Sequence, residues 1–248
     1  MTQSTNSAER GSAPVSAFKN ALQTGLRSAR ENALPGLILW VFAAALVAGY
    51  WLLQPVHDAL GVLGRVKAES GYAYSAIATG IFGGFIPFLW RFARGGKRAR
   101  ETGTRLWNVK AWVAALFLTL FWAYKGVEID FFYRLQAAIF GNGSALKVLV
   151  PKVLVDQFVY NVLWAGWIQL LGYWWLENGL RPSALVDRAF WGTIGPRLVT
   201  ILISTWGVWI PMVCIIYSMP AELQVPLFNI ALCFWSLMLA SITTEEKK

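Results

Sequence analysis

LPGLILWVFAAALVAGYWLL, residues Leu34–Leu53, carries no charged side chain and no alternation of polar with apolar positions. The hydrocarbon core of a bilayer, about 30 Å thick, takes ~20 helical residues, and this stretch has that length. Five more apolar blocks follow, at Tyr72–Trp90, Trp112–Tyr124, Val153–Trp175, Leu198–Ile216 and Leu227–Ile242. The third and sixth are shorter and are expected to tilt less or to borrow flanking residues. Strands of a membrane β-barrel alternate and run ~10 residues. These blocks are continuous and longer, so the fold class is all-α: a polytopic transmembrane bundle of about six spans.

Composition agrees. The chain of 248 residues is 56% hydrophobic and 14% charged, against about 25% charged in soluble domains. Many of its 14 Trp sit at block ends (Trp40, Trp51, Trp90, Trp107, Trp112, Trp122, Trp174, Trp175), the headgroup level that indole favours. The net charge of +9 has a simpler source than nucleic acid. With the N-terminus inside, most Lys and Arg fall on inside segments, above all Arg91, Arg94, Lys97, Arg98, Arg100, Arg105 and Lys110, as the positive-inside rule requires. Anionic lipid headgroups are the expected ligands of these loops, and no nucleic-acid partner is expected.

Residues 1–33 read as a disordered tail followed by a surface helix. Residues 1–14 are polar and Ser-rich. Val15, Phe18, Leu22 and Leu26 then form an apolar stripe, with Lys19, Gln23, Arg27 and Arg30 off it, as in a helix lying on a membrane. Residues 34–242 form the transmembrane domain and 243–248 a charged tail. Further interfacial helices are expected at Lys125–Phe140, where Asp130 and Arg134 can pair four apart, and at Ala184–Trp191, broken by Gly195-Pro196. His57 is placed in a loop. In the second span Gly80, Gly83 and Gly84 belong to a ridge of small residues that lets another helix approach closely, one face through which a homo-oligomer would form.

The polar residues inside the spans are the functional candidates. Asp156 lies about one turn inside the fourth span, and Gln157, Asn161 and Gln169 recur at multiples of four. Asn229, Cys233 and Ser236 share a face of the sixth. An ionised Asp facing lipid costs ~2.5–3.5 kcal/mol at mid-membrane, so Asp156 is expected to face protein or water. The stripe Asp156, Gln157, Asn161, Gln169 and Asn229 is then either the lining of a solute path or an interhelical hydrogen-bond seam. No nucleophile–base pair, phosphate loop or metal-ligand spacing is present; Glu128 and Asp130 read as ordinary surface pairing. No enzyme activity, cofactor or metal is expected, and the two cysteines, Cys214 and Cys233, read as buried thiols.

The motif Lys152-Val-Leu-Val-Asp156-Gln157, followed by Trp209-Ile-Pro211, Pro220 and Trp235-Ser236, resembles the family of Mpv-seventeen and the twenty-two-kilodalton peroxisomal membrane protein. Gly84 to Trp90 and Gly49 to Gln54 are similar to further elements of that family, and Lys125–Gly141 looks closest to bacterial members. The resemblance implies an integral protein of a bacterial cytoplasmic or organellar inner membrane, with channel-like passage of small metabolites. Lys152, Asp156, Gln157, Trp209, Pro211, Pro220 and Trp235 are the positions it marks. A non-conducting scaffold is the alternative.

Overall fold

The computed structural model describes residues 6–93 and 107–245. Every regular element among them is a helix. Six helices are long and apolar enough to cross a membrane: α2 (Ala33–Leu52), α4 (Tyr72–Ala93), α5 (Ala111–Phe140), α6 (Leu146–Glu177), α8 (Arg188–Tyr217) and α9, which runs over Ala221–Glu245. Three more complete the order: α1 (Asn6–Glu31), α3 (Gln54–Ser70) and α7 (Pro182–Leu185). The protein is therefore a multi-pass integral membrane protein with an all-α bundle. One end of the bundle carries the last residues of α4, the start of α5 and α7, and is called the basic end here. The far end carries α3, the α5–α6 turn and the α8–α9 turn.

Several boundaries differ from the sequence reading, each for a local reason. The third span does not stop near Tyr124; α5 is one helix of 30 residues. Its charged second half stays inside the bundle because Lys125, Glu128 and Asp130 find buried partners there, so no surface helix forms. It ends at Gly141, whose φ of 87° is a left-handed stop that glycine tolerates. The span expected from Leu198 starts at Arg188 and runs through Pro196 unbroken, since one proline removes only one ladder bond and lipid favours keeping the rest. The expected Ala184–Trp191 helix is divided between α7 and the first turn of α8, where Asp187 accepts a hydrogen bond from the Ala189 N–H at 2.9 Å and so caps the helix. His57 lies on α3, stacked on Tyr50 with centroids 4.5 Å apart, not in a loop.

The amino-terminal region also departs from expectation. Residues 6–14 are helical, and α1 lies along α8. Its small face docks there: Thr200 Oγ1 donates to the Ala21 carbonyl at 3.2 Å, and a Cβ on Gly25 would meet Ile203 Cβ at 2.9 Å. The apolar stripe Phe18, Leu22 and Leu26 remains exposed. Residues 1–5, the basic segment 94–106 and residues 246–248 lie outside the described residues, and with them most of the expected lipid-anchoring cations and the end of the charged tail.

Spans α4 and α5 make the tightest pair, and glycine is the reason. A Cβ on Gly84 would lie 2.5 Å from the Leu118 carbonyl oxygen, and one on Gly80 3.0 Å from that of Thr119. Gly83 faces Leu232 and Trp122. From the other side Gly126 presses on the Ser75 carbonyl oxygen. The ridge is thus filled within the chain and offers no glycine face to a second copy. The main core gathers α2, α8 and α9 around Leu39, Val208, Met212, Ile216 and Leu223, all nearly inaccessible.

Candidate functional site: a cavity with a polar row

A cavity of about 550 Å³ lies between α4, α5, α6, α8 and α9, within the range of small-molecule sites, roughly 300–1,000 Å³. Asp156, Gln157, Asn161 and Gln169 line it, as do Trp209 and Trp235. Asn229 does not. It accepts a hydrogen bond from Thr79 Oγ1 at 2.7 Å and belongs to a seam between α9 and α4. Pro211 lies within α8, and Pro220 precedes α9, its carbonyl accepting the Leu223 N–H at 2.9 Å.

Winding explains how one row of α6 stays on the cavity. Residues four apart in an α-helix drift by about 40° per step, so such a row would leave the cavity within a few steps. From Val155 to Ala165 the helix is wound as a π-helix, which turns less per residue and holds Asp156, Asn161 and Ala165 in line. Pro151, inside α6 just before this stretch, interrupts the tighter ladder. A second π stretch, Gly80–Phe85, brings Gly83 and Gly84 to the opposite wall. Wide turns of this kind recur at functional sites.

The two ends of the cavity differ. At the basic end its lining includes exposed Arg91, Glu177 and Arg197, with the Arg197 guanidinium 4.9 Å from the centroid of the Trp174 ring. At the far end, roughly 30 Å along α6, the lining stops at buried Lys125, Tyr133, Asp156 and Gln157. There the chain of hydrogen bonds is continuous. Gln136 donates to the Tyr217 hydroxyl at 2.6 Å, that hydroxyl donates to Asp156 Oδ2 at 2.5 Å, and Gln157 Nε2 donates to Asp156 Oδ1 at 2.7 Å. The chain links three spans: the carboxylate joins α6 to α8 through Tyr217, and the Tyr217 hydroxyl joins α8 to α5 through Gln136. Trp206 Nε1 fixes the Gln157 backbone by donating to its carbonyl at 3.2 Å.

Lys152 is wholly buried behind this chain, its ammonium 5.6 Å from the centroid of the Tyr217 ring. Among the described residues Lys152 Nζ, Gln136 Oε1 and Gln157 Oε1 have no hydrogen-bond partner. Each such group costs about 1–3 kcal/mol when buried, and a charged one more.

Two ion clusters flank the cavity. Lys125 pairs with Glu128, which also accepts from Tyr160. Asp130 accepts from Lys67 at 2.9 Å, Ser75 at 2.8 Å and Arg134 at 3.0 Å. The expectation of surface pairing for Glu128 and Asp130 is therefore corrected: Asp130, Lys67 and Lys125 are all buried. The Asp130–Arg134 and Lys125–Glu128 pairs lie within α5, at i,i+4 and i,i+3; the remaining partners, Lys67, Ser75 and Tyr160, sit on α3, α4 and α6. Tyr217 and Gln136 carried no sequence signal, because their roles arise only from packing. No family model, no curated protein and no solved structure matches the chain.

Proposed function

We propose that this protein is a passive, non-enzymatic path for small polar solutes, and that the cavity is its vestibule. The observation that carries the reading is the row Asp156, Gln157, Asn161 and Gln169 along one wall of a cavity that runs from exposed Arg91, Glu177 and Arg197 at the basic end to buried Asp156 and Gln157. Lipid-facing positions need no such row, and a bundle held by packing alone needs no such volume. The basic end faces the cell interior in this reading, with a bacterial cytoplasmic membrane favoured over an organellar inner membrane and anionic lipid around its arginines. Kinship with the Mpv-seventeen family is proposed on the Lys152–Gln157 and Trp209–Trp235 motifs, and both ends of that pattern meet at the cavity.

A second reading is a non-conducting scaffold. The closed far end favours it, since the polar groups there bond to one another across three spans. Single-channel recording of purified protein in planar bilayers separates the two. Passage predicts discrete currents whose ion preference shifts in Asp156→Asn, a variant of nearly the same size and shape that removes the charge. Silence from folded, inserted protein supports the scaffold, and currents with unchanged preference would remove Asp156 from the path.

A further inference from the structure

We infer that Lys152 is the charge counterpart of Asp156 in a selectivity constriction, and that the Tyr217–Asp156 hydrogen bond is the latch that keeps it shut. The inference rests on the passage reading. It starts from the groups behind the latch. A permanent plug is best made of apolar side chains, because buried polar groups without partners are destabilising. Here the space between the cavity floor and the far end holds an ammonium and two amide oxygens that nothing satisfies among the described residues. In the closed arrangement the two oxygens have no donor and the ammonium has only the face of the Tyr217 ring. They gain hydration when the spans part, and the charged hydrogen bond that opposes this between α8 and α6 is the one from Tyr217 to Asp156.

Charge then defines the solute class. Lys152 and Asp156 lie one turn apart on α6 and make no ion pair with each other. Opened, the constriction presents one cation, one anion and the amides of Gln136 and Gln157. Its net charge is zero, so it disfavours a lone ion of either sign and suits neutral polar or zwitterionic solutes. Removing one charge leaves the other uncompensated, and the two removals act in opposite directions.

The test has two arms. In the first, Lys152→Cys is placed in the full chain with Cys214→Ala and Cys233→Ala, reconstituted in liposomes, and exposed to a charged, membrane-impermeant methanethiosulfonate. Losing a hydrogen bond to a carboxylate should favour the open form about tenfold, so adding Tyr217→Phe should speed labelling by about that factor. In the second arm, reversal potentials are read under a salt gradient. Lys152→Gln should shift preference toward cations, Asp156→Asn toward anions, and the double substitution should return to the wild-type value. Lys152→Met, which keeps the stem over the Tyr217 ring, replaces Lys152→Gln if the latter does not fold. Labelling that ignores Tyr217→Phe, or a Lys152 variant with wild-type preference, overturns the inference while leaving passage intact. If no variant carries current and none lets radiolabelled glycine, a zwitterion, leave the liposomes, passage itself fails, and the labelling arm alone decides whether position 152 reaches water.

Discussion

At Asp130 one carboxylate holds three elements: Lys67 from α3, Ser75 from α4 and Arg134 from its own helix. Removing one member of a buried pair leaves the other uncompensated, at about 3–5 kcal/mol, whereas replacing both by apolar groups is often near neutral. Asp130→Asn and Lys67→Met should each lower the thermal midpoint in detergent, followed by helical circular dichroism, and Lys67→Met with Asp130→Leu should recover most of the loss. A double variant no better than the singles would mean that packing, not charge, sets the cost. The contrast with Asp156 shows what a sequence makes visible. Asp156 stands alone in an apolar run, so its cost in lipid marks it at once. Lys67, Glu128 and Asp130 lie beside other charges and look solvated, because the partners that bury them, Asp130 for Lys67 and Tyr160 for Glu128, are 63 residues away or on another span. Gln136 and Tyr217 acquire their place only when α5, α6 and α8 meet.

At the scale of elements, apolar blocks located all six spans but misjudged their length. Hydropathy registers charge as an end; a helix registers only its backbone and its neighbours. Hence α5 continues past Lys125, and α8 begins well before Leu198. The π stretches left no trace in periodicity, since four-residue steps look alike in either winding. Glycine positions were more informative. The sequence predicts close approach at Gly80, Gly83 and Gly84, and the structure adds Gly126, where α5 meets the Ser75 carbonyl. Gly126→Ala puts a methyl against backbone that cannot rotate away. Overpacking of this kind costs about 1–3 kcal/mol, and should lower the thermal midpoint while Gly207→Ala, which meets nothing within 4 Å, leaves it unchanged. Equal midpoints for the two variants would contradict the close α4–α5 contact.

For the whole molecule, six spans place the α5–α6 turn and α7 at opposite ends. In cysteine-free protein in intact cells, Ser144→Cys should react with an impermeant maleimide from outside, and Ser183→Cys only after permeabilisation. The reverse pattern would turn the cavity mouth outward. The Lys67–Asp130 bond has a further consequence, in the order of synthesis. A ribosome delivers Lys67 first and Asp130 63 residues later, a delay of roughly 3–12 s at ~5–20 residues per second. Until then the first helical hairpin carries an ammonium with no counter-ion, and α3 has its polar anchor still to come. Arrival of α5 supplies that counter-ion together with the Gly126 contact against α4. The third span therefore acts as the clasp of the nascent chain: the first two spans can enter the membrane early, but their packing becomes final only when it joins them.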